Sequence, residues 1–453
     1  MVRLPTRCAE CWVIALVLFL AGSGLARPAS ATQFDCQLSH TFSGFGLNIW
    51  ALASRAEPLL DLADELRVKF VRWKMLPDTT SADVPDDPSF ATLVEWLERL
   101  VSAQGTDGER GFALFRLLGS SGIGQIPAPW AVPGKWQVGG PRPPQDGKER
   151  LIQDTRVDDF GRLLAAMITV LERHDVRPYA VELLNEPPNK LFANHYAGVL
   201  RSFRSSERAN GLHSTSVGGA GAVFTWGNRP YLQEVAKQNE KLDIISTHAY
   251  DALKTHQLAS VTPLADAIPS EWKGRPIFVT EYGIDPQLWY PQQSDAADTV
   301  PYAVRAAAQT LTLLGTGANV TFYWQAQDPP WATPPYWGLL SKEDKRRPAI
   351  DALRTIVRPL EVGDAIASSE RRDPPLPVML AARPGKLVLE IANPDPEPQE
   401  YQVTLRNCSA APIAIAKTTA WPPDHTVQVQ APSAASLHIT MPGQTVASIE
   451  TTR

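Results

Sequence analysis

Residues 179–188 read YAVELLNEPP, and residues 276–283 read PIFVTEYG. Each is a short apolar run, with β-branched and aromatic residues, that stops abruptly at a glutamate: Glu186 in the first and Glu281 in the second. Runs of this length and make-up are expected as strands buried on both faces of a parallel sheet. A carboxylate at the C-terminal end of such a strand stands where α/β barrels gather their reactive groups. Two such strand ends predict a carboxylate pair. Cleavage of a glycosidic bond needs such a pair, one carboxyl to protonate the leaving oxygen and the other to attack or to activate water.

Outward from these two stretches, short apolar segments alternate with amphipathic ones, which is the pattern of βα units. Strands are expected at 44–49, 68–73, 112–118, 179–186, 214–220, 243–250, 277–282 and 319–325. Helices are expected at 54–66, 89–103, 155–174, 192–210, 229–239, around 263–272, at 301–314 and at 348–359. Eight of each predict an α/β fold, a (β/α)8 barrel over 32–360, in which Glu186 closes strand four and Glu281 closes strand seven. Beyond it, proline clusters at 373–377 and 394–398 mark a change of regime. Period-two alternation at 387–391, 400–406, 426–430, 436–440 and 444–450 then predicts a small antiparallel β-sandwich over 361–453.

The first 31 residues carry Arg3 and Arg7, an apolar core from about Trp12 to Ala21, and Ala29-Ser30-Ala31 as a cleavage site. They are expected to be a signal peptide, sending a soluble protein to the periplasm or the exterior. The apolar core is too short for a stable span, so no membrane association is expected after cleavage. Removal leaves 40 basic against 47 acidic residues, a net charge of −7. This mild acidity speaks against nucleic acid as a partner and is compatible with a neutral polysaccharide or oligosaccharide. Only Cys36 and Cys408 remain; they are a candidate disulfide, with two separate buried thiols as the alternative. The eight His show no metal-ligand spacing, and no metal or other cofactor is expected. The glycines of 119–124 are followed by a Pro-rich stretch where a phosphate-binding helix would have to start, and no G-x-S-x-G elbow occurs.

Asn185-Glu186-Pro187 and Glu281-Tyr282-Gly283 resemble the acid/base and nucleophile motifs of the clan A glycoside hydrolases, the retaining (β/α)8 barrels. The resemblance implies that Glu186 is the general acid/base and Glu281 the nucleophile. It implies Arg72 as the cation beside them, Asn185 on the sugar 2-hydroxyl, and Trp324 as a platform under the sugar at the cleavage point. The His-x-Tyr of Ser246 to Tyr250 implies a sugar contact for His248 and a hydrogen bond from Tyr250 to the nucleophile. It further implies a sandwich after the barrel, to which Cys36 could stitch the mature N-terminus. Glu182-x-x-Asn185-Glu186-Pro187 followed by Asn189 is nearer family 39, whereas FVTEYG is nearer family 5. Family 5 members usually carry a His shortly after strand three, where this chain has FALFRLLGSSG with Arg116, so the family is left open.

Within a strand, side chains two apart share a face, so Glu182, Leu184 and Glu186 are expected to point the same way. A working acid needs a raised pKa, and the nucleophile must stay ionised. Trp130, Trp136, Trp226, Trp289, Tyr290, Trp331, Tyr336 and Trp337 fall on loops after strands and predict an extended cleft, with Trp289 among the substrate contacts. The expected function is a secreted retaining β-glycoside hydrolase cutting within a polymer, with carboxyl groups about 5–5.5 Å apart. The alternative is a barrel of the cell envelope or matrix that binds polysaccharide without cutting it. Such a binder is expected to have lost one carboxylate or Asn185, and all are present.

Overall fold

The computed structural model describes residues 30–50, 55–75, 83–138, 151–212, 215–223, 229–238, 240–250, 268–369, 377–408, 413–433 and 435–452. The expected signal peptide therefore lies outside the described residues except for Ser30 and Ala31, which open strand β1 (Ser30–Thr41). The expected helical stretch around 263–272 is largely outside them too. Among the described residues no helix is long and apolar enough to cross a membrane.

Eight parallel strands form one sheet: β2 (Gly44–Ile49), β3 (Val68–Lys74), β4 (Gly124–Ala128), β5 (Ala180–Glu182), β6 (Ser216–Val223), β7 (Ile244–His248), β8 (Ile277–Tyr282) and β9 (Val320–Tyr323). Their order, β4-β3-β2-β9-β8-β7-β6-β5, brings the two ends of the sheet together as a barrel. At the seam between β4 and β5 two backbone bonds make the join, Tyr179 N to Gln125 O and Asn185 N to Pro129 O, both 2.8 Å. The helices around the barrel include α1 (Ala56–Glu65), α2 (Phe90–Gln104), α3 (Thr106–Ser120), α4 (Val157–Arg173), α5 (Ala193–Ala209), α6 (Arg229–Lys237), α7 (Val300–Gly315) and α8 (Pro348–Val357).

The third strand departs from expectation. Residues 112–118, read as a strand, are the second half of α3, whose buried Gly108, Gly111, Phe112, Phe115 and Leu118 repeat every three or four residues. Seven residues are too short a window to tell that period from a continuous apolar run. The true third strand is Gly-Gln-Ile-Pro-Ala, with a polar residue and a proline that hide it. Pro127 is tolerated because β4 makes a ladder with β3 only and faces the seam on its other side, where no regular bond needs its missing N–H. The segment after this strand is Pro129-Trp130, and it too lacks a His.

Inside the barrel, Phe70, Ile126, Ala180, Ile244, Phe278, Val320 and Phe322 form an apolar floor. Gly46 makes room for it, since a Cβ there would lie 2.5 Å from the Phe322 ring.

The remaining strands are β10 (Ala365–Ser369), β11 (Val378–Arg383), β12 (Lys386–Asn393), β13 (Gln399–Arg406), β14 (Ala414–Trp421), β15 (Gln428–Ser433), β16 (Ser436–Met441) and β17 (Thr445–Thr452). With β1 they make a nine-stranded sheet in the order β14-β17-β12-β11-β10-β1-β13-β16-β15. β1 is an interior strand, antiparallel to β10 and parallel to β13, so residues before the barrel complete the module after it. The Sγ atoms of Cys36 and Cys408 are bonded, with the Cα atoms 4.8 Å apart. Phe34, Leu380, Leu389, Val403, Ile439 and Ile449 share one core, which requires the sheet to fold over and bring its two wings face to face. Met379, Ala381, Val388, Ala392 and Val446, on the other face, join the barrel core through α7 and α8.

Glu390 lies on that second face, fully buried, with Ser448 Oγ donating to it at 2.9 Å. Burial pushes its pKa well above the usual glutamate value, the Ser448 bond opposes this, and Glu450 adds to it. The folded state therefore holds a proton that the unfolded chain has released. Stability should fall as pH rises above the ordinary glutamate range, by about 1.4 kcal/mol per pH unit until the folded pKa is passed. Glu390→Gln is expected to remove that slope in urea titrations run at pH 5 to 8. An unchanged slope in the variant would show that Glu390 is not its source.

Candidate active site

Period-two alternation carries the floor upward into a polar layer. Phe70 faces inward, so Arg72 does as well, and Ala180 places Glu182 the same way. Arg72 and Glu182 are each 1 % exposed, and Arg72 Nε donates to Glu182 Oε2 at 2.8 Å. The rest of the guanidinium is spoken for: Nη1 donates to Asn48 Oδ1 (3.2 Å) and to Glu281 Oε1, and Nη2 to Asn185 Oδ1 (2.7 Å). Burial alone would lower the Arg72 pKa, but Glu182 and Glu281 outweigh it and hold the cation firmly. Glu182 is likewise penalised by burial and kept below the usual carboxylate range by Arg72 and His248.

One guanidinium thus serves two buried carboxylates. Arg72→Met should destabilise the fold by about 3–5 kcal/mol, because it leaves both charges uncompensated. Urea unfolding at pH 7 would measure it, and a loss under about 1 kcal/mol would show that the layer does not depend on this cation.

Glu186 is not on a strand. β5 ends at Glu182, the chain bends, and Glu186 takes a left-handed conformation (φ 46°, ψ 61°) just before the 3-10 turn Pro187–Asn189. Pro187 disfavours the right-handed helical region for the residue before it, and the left-handed region costs a glutamate about 1–2 kcal/mol. The expectation that Glu182, Leu184 and Glu186 share a face is therefore corrected. Leu184 is buried in the hydrophobic core, and the adjacent Asn185 and Glu186 both reach the site, which a straight strand would forbid. Lys190, 2 % exposed, donates from Nζ to Asn185 O at 2.7 Å and braces the turn.

His248 ends β7 opposite Glu281 in the ladder. Its Nδ1 lies 3.1 Å from Glu186 Oε1 and 3.5 Å from Glu281 Oε2. Tyr250 OH donates to Glu281 Oε2 at 2.8 Å. Glu186 is 36 % exposed and Glu281 6 %, so the first meets solvent and the second is enclosed. The expected raised pKa of Glu186 is corrected too. The His248 hydrogen bond lowers it, against burial, with Lys190 and Arg72 adding to the lowering. One ligand atom from each of Glu186, His248 and Glu281 lies within 4.8 Å of the others, close enough to hold a metal ion. The Arg72 guanidinium bonded to Glu281 opposes a divalent cation there.

Trp324 follows β9, and its peptide bond to Gln325 is cis. Its ring belongs to a group with Trp50, Trp130 and Trp331: Trp50 lies 4.8 Å from Trp130 and 5.8 Å from both Trp324 and Trp331, edge to face in each case. Trp337 meets Tyr250 edge on at 5.9 Å. Not every expected rim aromatic joins them. Trp136 is buried in the core. Trp289, in a one-turn helix (Pro286–Trp289), lies under Arg305, whose Cζ is 4.3 Å from the ring centroid. Tyr336 lies beneath Arg347, and Trp226 falls outside the described residues.

Asn48, Glu182, Lys190 and Trp50 were not foreseen as parts of this site. Asn48 and Trp50 sit at the end of the first barrel strand, and their position was the one available signal.

No protein-family model matches the sequence, and no curated protein resembles it detectably. Solved structures do. A glycoside hydrolase family 30 subfamily 8 xylanase from Clostridium acetobutylicum aligns with a TM-score of 0.64 at 13% identity, covering 93% of this chain and 100% of that one. The two chains share one fold. An endo-β1,6-glucanase shares it with a TM-score of 0.60 at 13% identity, over 93% of this chain and 94% of its own. A family 39 β-xylosidase from Caulobacter crescentus does so with a TM-score of 0.53 at 14% identity, over 94% of this chain and 100% of its own. Members of two numbered families thus share the architecture, and neither is singled out.

Proposed function

We propose that this chain is a secreted retaining β-glycoside hydrolase that cuts within a polysaccharide by double displacement. The observation that carries the reading is the approach of one carboxylate oxygen of Glu186 and one of Glu281, from opposite sides of the barrel mouth, to within 4.8 Å with His248 between them. Oxygens this near, both close to one imidazole nitrogen, favour direct attack on the sugar over the wider spacing of the carboxyl groups, about 6.5–9.5 Å, that an inverting pair needs to admit water.

Glu281 Oε1 is tied to Arg72, and Oε2 accepts from Tyr250, so the carboxylate is held in one orientation for attack on the anomeric carbon. The more exposed Glu186 delivers a proton to the leaving oxygen and then takes one from the incoming water. Asn185, oriented by Arg72, is placed for the sugar 2-hydroxyl, and Trp324 for the ring face. The group of tryptophans favours several sugar units and hence internal cleavage.

The lowered pKa of Glu186 has a kinetic consequence. The acid must be protonated to act, so kcat/KM, which reports the free protein, should fall as pH rises through that low value and favour acidic conditions. A bound sugar strips water from Glu186 and raises its pKa, so the alkaline limb of kcat is expected at higher pH than that of kcat/KM. Coincident limbs would contradict it.

The defining experiment is a panel of β-linked xylans and glucans, with products resolved by size and their anomeric form read by NMR. Oligosaccharides released first in the β form support the proposal. No product from any substrate would leave a barrel that only binds.

A further inference from the structure

The loop after β9 contains a fastening that the proposed reaction does not use. Asp328 is 1 % exposed. Its Oδ1 accepts from the backbone N–H groups of Trp337 (3.1 Å) and Gly338 (2.8 Å) and from Gln325 Nε2 (3.3 Å), and its Oδ2 accepts from Arg347 Nη1 (2.6 Å). Arg347 immediately precedes α8 and also donates to Gly338 O and to Asp298 Oδ1, so the loop is tied to the outer helical layer. With its NH2 group facing Asp328, the Gln325 amide turns its Oε1 the other way, where it accepts the indole N–H of Trp50.

We propose that Asp328 is a positioning residue: by deciding which way the Gln325 amide faces, it sets the Trp50 indole and holds the wall of Trp130, Trp50 and Trp331 ready for sugar units beyond the one being cleaved. This rests on the glycosidase reading. An amide has nearly the same shape after a half-turn, and only its hydrogen-bond partners distinguish the two orientations. A carboxylate accepts and never donates when ionised, so Asp328 permits one orientation. The flipped amide would set N–H against the Trp50 N–H and leave a buried donor unpaired. Trp331, 62 % exposed, continues the wall into solvent. Flat aromatic faces match the C–H faces of pyranose rings. The substrate implied is a neutral β-linked chain of several units with those faces unsubstituted.

The test uses Gln325→Leu and Asp328→Asn in the full chain, with xylohexaose and a β-linked glucohexaose as long substrates and the aryl β-xyloside and β-glucoside as short ones. KM for the cleaved hexasaccharide should rise about tenfold while its kcat stays within twofold, and kcat/KM for the aryl glycoside should change less than twofold. The indole exciton signal in circular dichroism should weaken in both variants while the amide signal stays. Trp331→Ala, at an exposed position, should reproduce the rise in KM. Equal losses on long and short substrates, or an unchanged indole signal in Gln325→Leu, would overturn the proposal. A wild-type protein that cleaves neither class removes the proposed function, and the indole signal with calorimetric hexasaccharide affinity then decides the positioning by itself.

Discussion

Glu281→Gln is expected to slow turnover of every β-glycoside substrate by about 10⁴-fold or more, because the proposed mechanism makes this carboxylate the group that attacks the anomeric carbon. The fold should survive the change. Gln has the same shape, its carbonyl can still accept from Arg72, and its NH2 can donate to the Tyr250 oxygen. It also removes one of the two carboxylates that share the Arg72 charge. Loss of activity with an unchanged urea midpoint is therefore the expected pair of results. A 2-fluoro sugar with a good leaving group should accumulate as a covalent adduct on the wild-type protein, and peptide mass should place it on Glu281. An adduct on any other residue ends this assignment.

Glu186→Ala should show a loss that depends on the leaving group. With a sugar leaving group, which needs a proton, the rate is expected to fall about 10²–10⁴-fold. With a dinitrophenyl leaving group the first step should be nearly unaffected, and the covalent intermediate should build up because the base for the second step is gone. Azide, small enough for the space left by the side chain and needing no base, should restore turnover and yield a β-glycosyl azide. Glu186 is the more exposed of the two carboxylates, so this route is open to solvent. Equal losses with both leaving groups would remove Glu186 from the acid role.

Much of this site could be read from short stretches. Arg72 and Glu281 close apolar runs, and a parallel strand that ends at the barrel mouth must place its last side chains there. Glu186 reaches the barrel mouth by a route its apolar run does not show, since its strand stops four residues earlier and a left-handed turn aims the side chain. Glu182 was seen on the correct face, yet nothing local says that it meets Arg72, 110 residues away. The third strand is not where the pattern puts it, because helix and strand periods cannot be told apart over seven residues of which six are apolar, and the true strand carries a proline.

What the sequence determined alone is what local periodicity encodes: the alternation of strands and helices, the shift to period two after the barrel, and a glutamate closing the strand Ile277–Tyr282, with a second one soon after Ala180–Glu182. Which charges share a guanidinium, which strand from before the barrel is inserted into the second sheet, and which tryptophans touch were decided only by the tertiary structure. Barrel closure brings strand ends together regardless of their distance along the chain. Register and burial then select among partners that no short window of residues can compare.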